Sequence, residues 1–157
     1  MLEEDVTLAL AAHLRRAGWR ILTTHSPGSQ GGVYVLRSPR PTPPTKGAVV
    51  LDLVAQQGNV YLLVESKGRY SRSDAVKVVA VTRDPAYRES LADRFGIVWR
   101  QKPLLVPAVA LPKDAHVPAT MPEGVVVIAV ESKGARIKAG KPERALPGVR
   151  EADEGGC

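Results

Sequence analysis

The chain has 157 residues, of which 44% are hydrophobic and 24% charged, with a formal net charge of +6 at pH 7. That length suits one domain with a buried core; no run approaches the roughly 20 apolar residues of a bilayer span, and the lone cysteine, Cys157, excludes an internal disulfide framework or a cysteine-based metal motif. The excess of base points to an anionic partner, and the acidic, helix-patterned N-terminus is unlike a secretory signal, so a cytoplasmic protein is expected.

The opening LEEDVTLALAAHLRRAG reads as an amphipathic helix, with Val6, Leu10, Leu14 and Ala17 on one stripe. Glu3, Glu4 and Asp5 complement the helix dipole in the first turn, Arg15 and Arg16 in the last, and Gly18 supplies a stop. WRILTT at 19–24 follows as a short strand. Residues 25–47 hold Pro27, Pro39, Pro41, Pro43 and Pro44, a density that forbids regular structure apart from a short strand over VYVL at 33–36.

AVVLDLVA at 48–55 and NVYLLVES at 59–66 are strand-like runs joined by QQG, which reads as an antiparallel hairpin. Residues 71–95 are helical in pattern, with a break at Asp84-Pro85 where the proline opens a second helix. PLLVPAVALP at 103–112 reads as a strand that Pro107 consigns to a sheet edge. GVVVIAVES at 124–132 is the last strong strand, and Lys133-Gly134 turns the chain into a short final one. From Lys141 onward there is no periodicity, so residues 141–157 read as a loose tail after a single domain at 1–140. The expected class is α/β or α+β, a mixed central sheet flanked by helices.

The tetrapeptide ESKG occurs at 65–68 and again at 131–134. Residues i and i+2 of a strand share a face, so Glu65 projects with Lys67, and Glu131 with Lys133. Their surroundings differ. Asp52 lies between Leu51 and Leu53 in the adjoining run, where an aspartate is costly without a counter-charge, and the hairpin brings it alongside Glu65. Two neighbouring carboxylates raise one pKa or recruit a divalent cation. Oxygen ligands favour Mg²⁺ or Mn²⁺, and Lys67 is placed to orient a water or to stabilise charge on a phosphate. Upstream of the second copy the nearest aspartate, Asp114, falls in a proline-rich connector, so that copy reads as an exposed hairpin turn.

LDLVAQQGNVYLLVESKG resembles the active-site hairpin of the PD-(D/E)xK nuclease superfamily, with Asp52 as the first acid and ESK as the ExK element. Leu51 stands where a proline is usual. The order helix, strand, hairpin, helix, strand over residues 2–112 is similar to the restriction-endonuclease-like αβββαβ core. Archaeal Holliday-junction resolvases and Mrr-like and small restriction endonucleases share that core; the hairpin at 124–138 is an addition. The resemblance implies a Mg²⁺- or Mn²⁺-dependent DNA endonuclease. It makes Asp52, Glu65 and the Ser66 carbonyl metal ligands, with an acid of the first helix beside them and Lys67 as catalytic lysine. Glu3 falls on the apolar stripe and is preferred for that acid, with Glu4, off the stripe, as the alternative. Arg37, Arg40, Lys46, Arg69, Arg72 and Lys77 flank the site and on a nuclease would neutralise backbone phosphates. His25, opening the proline-rich segment, reads as a phosphate contact, a group near the metal, or an ordinary exposed loop histidine. Cutting both strands implies a homodimer. The competing reading is a non-catalytic DNA-binding or assembly module on the same fold; Asp52, Glu65 and Lys67 all being present favours the enzyme. Trp19 and Trp99, flanked by apolar residues, read as core.

Overall fold

Helix α1 (Glu3–Arg16) buries Val6, Thr7, Leu10, Ala11 and Leu14, the face its spacing marks out. Its first turn is closed by the Asp5 carboxylate, which accepts the Leu2 backbone N–H at 3.0 Å. Gly18, at φ +92°, then turns the chain into the sheet. The structure, a computed structural model, describes residues 1–24, 33–36 and 48–151.

The strands are β1 (Arg20–Thr24), β2 (Val33–Leu36), β3 (Ala48–Leu51), β4 (Leu53–Gln57), β5 (Val60–Ser66), β6 (Leu104–Pro112), β7 (Val126–Glu131), β8 (Gly134–Ala139) and β9 (Arg150–Glu151). Helices α2 (Arg72–Arg83) and α3 (Pro85–Phe95) lie between β5 and β6. A seven-stranded mixed sheet runs in the order β1-β4-β5-β6-β7-β8-β9, and β2 and β3 form a separate pair. The fold is thus mixed α/β. At the break between α2 and α3, Asp84 accepts the Ala86 N–H at 3.0 Å and Pro85 takes the first helical position.

Every residue of β5 is buried, because both faces of the sheet are covered. Val60, Leu62 and Val64 pack with Val6, Leu10 and Leu14 of α1; Tyr61 and Leu63 pack on the other side with Val78 of α2 and Leu91 of α3. Glu65 and Lys67 continue this second series, so they emerge on the face that carries α2. Trp19 belongs to the core at 3% exposure, whereas Trp99 is only partly buried and lies under the Arg88 guanidinium, 4.2 Å from its ring centre.

Three expectations are corrected. The run at 48–55 is not one strand: β3 pairs antiparallel with β2, a bend at Asp52 interrupts the chain, and only β4 joins the hairpin with β5. β6 is not an edge strand either; it lies between β5 and β7, parallel to both. Leu104 donates its N–H to Asn59 on the β5 side at 2.9 Å, and alternate residues share a side, so Pro107 turns its missing donor towards β7. Pairing with β7 begins only at Ala108↔Val126, one residue further on, and no ladder bond is forfeited. Finally, the segment after Lys141 is packed at least to Glu151. Leu146 and Val149 are 3% and 2% exposed within the α1-side core, and β9 pairs with β8. Trp19 Nε1–H donates to the Pro147 carbonyl at 2.7 Å and His13 Nε2 to the Gly148 carbonyl at 2.6 Å. Two well-placed apolar side chains and two borrowed hydrogen bonds order a stretch that has no periodic pattern. Among the described residues, no helix is long and apolar enough to cross a membrane.

Candidate active site

The site forms where the β4–β5 ladder ends. Asp52 sits in the bend just before β4, half-buried rather than inside a strand. Its backbone N–H donates to the Val64 carbonyl at 3.1 Å, and its Oδ2 accepts the Ser66 N–H at 2.8 Å. The side chain thus takes the place of the next ladder acceptor, which fixes Asp52 against the end of β5. Ser66 directs its N–H to Asp52, and strand geometry turns its carbonyl to the same side.

Glu65 is 5% exposed. Its Oε1 lies 3.2 Å from Lys77 Nζ and 3.7 Å from Lys67 Nζ, while Asp74 Oδ1 stands 4.0 Å from Lys67 and 3.8 Å from Lys77. Two acids and two lysines therefore alternate in a closed ring. α2 begins soon after β5, so its first turn lies over the strand end; Asp74 occupies that turn, where the helix dipole favours an acid, and Lys77 follows at i+3. Glu65 Oε2, Ser66 Oγ and Tyr70 Oη are buried with no hydrogen-bond partner among the described residues.

Burial pushes the Glu65 carboxyl above its ordinary range, Asp52 adds to the rise, and Lys77 and Lys67 oppose it without cancelling it. Burial alone would pull the Lys67 ammonium down, but Asp74, Glu3, Glu65 and Asp52 together outweigh it and hold the group above the usual lysine value. Lys67 is therefore a cation at neutral pH, suited to stabilising negative charge rather than to accepting a proton.

Glu3, Lys67, Gly68, Arg69, Ser71 and Asp74 line an open cleft beside the ring. Of the two acids considered on α1, it is Glu3 that reaches this cleft; Glu4 does not line it. Arg69 is exposed at its rim and Arg72, also exposed, starts α2 next to it. His25, Arg37, Arg40 and Lys46 lie outside the described residues.

Among the described residues, no three His, Cys, Asp or Glu side chains stand together as a ready metal cage. A magnesium ion does not need one, since it keeps several waters and takes one or two carboxylates. Asp52 and Glu65, whose Oε2 is both buried and unpartnered, offer that much together with the Ser66 carbonyl. The donors are all oxygen, which fits a hard cation and not zinc.

Asp74 and the contact of Lys77 with Glu65 were not expected from the sequence. The usable signal was the spacing DAVK in the first turns after a strand ending in two charges, which puts an acid and a base on one helix face. The second ESKG behaves as a turn: Lys133 is exposed, and among the described residues Glu131 forms an ion pair with Lys113, at 3.3 Å between groups that are 42% and 66% exposed. Glu131→Ala and Lys133→Ala should each shift stability by less than about 0.5 kcal/mol in denaturant titrations and leave any activity intact. Loss of function in Glu131→Ala would move the site to the β7–β8 hairpin. No family model, curated protein or solved structure matches the chain.

Proposed function

We propose that the chain is a divalent-metal-dependent phosphodiesterase of the PD-(D/E)xK type that cleaves DNA in the cytoplasm, as a homodimer where both strands are cut. What supports this reading is that Asp52 and Lys67 both stand near Glu65 at one end of β5, where Glu65 Oε2 is buried without a partner among the described residues. The order α1, β1, β4, β5, α2 and β6, with β6 parallel to β5, also agrees with the αβββαβ arrangement that the hairpin sequence implies.

Asp52, Glu65 and the Ser66 carbonyl are the groups that would hold Mg²⁺ or Mn²⁺. Bound there, such a cation supplies Lewis-acid polarisation of a phosphate and lowers the pKa of a water. The remaining work falls to the chain. The Ser66 N–H holds Asp52 in one orientation, so the ligand is positioned before a cation arrives. Lys67 presents a permanent positive charge to the cleft, where a phosphate oxygen gaining charge would be stabilised. Asp74 and Glu3 keep that ammonium charged. Arg69 and Arg72 at the rim would neutralise neighbouring phosphates, which makes binding weaken as salt rises.

The test is a cleavage assay on plasmid, linear duplex, single-stranded and four-way-junction DNA, with Mg²⁺, Mn²⁺ or chelator. Cation-dependent cleavage of at least one substrate is expected. DNA binding without cleavage of any substrate would favour the assembly module instead, and absence of both would dismiss the reading.

A further inference from the structure

Two lysines share Glu65, but they are held differently. Lys67 continues β5, donating its backbone N–H to the Ala110 carbonyl at 3.0 Å. Lys77 reaches in from α2, is 38% exposed, and is nonetheless the nearer of the two to Oε1. It also has a second acceptor on its own helix: Asp74 Oδ1, one turn earlier and 3.8 Å away. A carboxylate as buried as Glu65 needs a counter-charge whenever no cation is bound. Lys77 provides one from a flexible stem, with an alternative resting place within reach.

We infer that Lys77 is an internal counter-ion that occupies Glu65 while the site lacks a divalent cation and moves to Asp74 when one binds. It therefore sets cation affinity by competition. This rests on reading Asp52 and Glu65 as the cation ligands. Each cation held by Glu65 Oε2 would repel the Lys77 ammonium from the neighbouring Oε1 and leave the Lys77–Asp74 pair intact. No bond is made or broken beyond these ion pairs. The consequence is a site that stays assembled when empty and binds cation with a lower affinity than its carboxylates alone would give.

Calorimetric titration of Mg²⁺ and of Mn²⁺ into the metal-free protein, without DNA, tests the inference on wild type, Lys77→Met and Lys77→Arg. Even at the dielectric of water, two unit charges about 4 Å apart alter an equilibrium constant about fivefold. Lys77→Met should therefore bind the cation about fivefold more tightly, or better. Lys77→Arg keeps the charge and can hold a carboxylate through two N–H groups, so its affinity should be unchanged or lower. Equal or weaker binding by a Lys77→Met protein that still melts cooperatively would overturn the competition. Should Lys77→Met fail to fold, tighter binding by Lys77→Arg would overturn it equally. No binding by wild type or either variant, up to millimolar cation, would remove the cation site itself and with it the proposed function.

Discussion

Lys67→Ala should lower DNA cleavage by about 10²–10³-fold, the usual cost of deleting one group that meets transition-state charge. Cation binding measured by calorimetry should persist, and tighten about fivefold, because the lost ammonium stood 3.7 Å from Glu65. The separation follows from geometry: Asp52 and Glu65 keep their backbone anchors without Lys67, whereas the cleft loses its fixed ammonium. The variant should also melt at a lower temperature. The folded protein holds the Lys67 proton above the ordinary lysine value of 10.5, so the charged form favours folding. That contribution is fully present below pH 10.5 and is lost as pH rises through the higher folded value. Cleavage at the wild-type rate would show that the chemistry lies elsewhere. Joint loss of cleavage and cation binding would make Lys67 a structural residue.

Glu65→Gln should abolish both cation binding and cleavage, yet raise the thermal midpoint of the metal-free protein at pH 7. Burial and Asp52 place the folded-state pKa of Glu65 above the ordinary 4.5. Below 4.5 the carboxyl is protonated in both folded and unfolded chains, and its contribution to stability is at its most favourable. As pH rises, the unfolded chain ionises first, and stability falls until the folded carboxyl has ionised as well. Glutamine cannot ionise, so the gap between variant and wild type should widen from acid to neutral pH. Lys77, freed by the substitution, remains partly solvated and beside Asp74. Thermal melts across that range, in chelator, decide the matter: a Glu65→Gln midpoint at or below wild type at pH 7 would mean that Lys77 and Lys67 repay the burial of the charge in full.

Glu65 and Lys67 were legible because strand periodicity alone puts them on one face, and α1 because its apolar spacing survives into the fold. Asp52 was legible as a neighbour of the end of β5 but not in its backbone state. AVVLDLVA has strand character throughout, and the bend arises because β3 finds β2 as its partner while the Asp52 carboxylate takes the Ser66 N–H. Such competition between partners is tertiary and leaves no local mark. The edge assignment of Pro107 failed for a related reason: what matters is which neighbour the missing N–H faces, and that depends on where β7 begins. Asp74 and Lys77 could be placed on one helix face, but only the docking of α2 decides that this face meets Glu65.

The seating of Leu146 and Val149 against α1 bears on how the chain acquires its structure during synthesis. α1 is made before its partners: the surface that receives Val6, Leu10 and Leu14 also takes in Val64 of β5, Ile128 of β7, Ile137 of β8 and Val149. An amphipathic helix emerging ahead of these partners therefore waits, its oily side uncovered, until β5, β7, β8 and Val149 have been made. Contacts so distant along the chain raise the contact order and slow the final collapse. The opening segment would be the natural place for a chaperone to hold the nascent chain, and the last one to become resistant to protease as the chain closes.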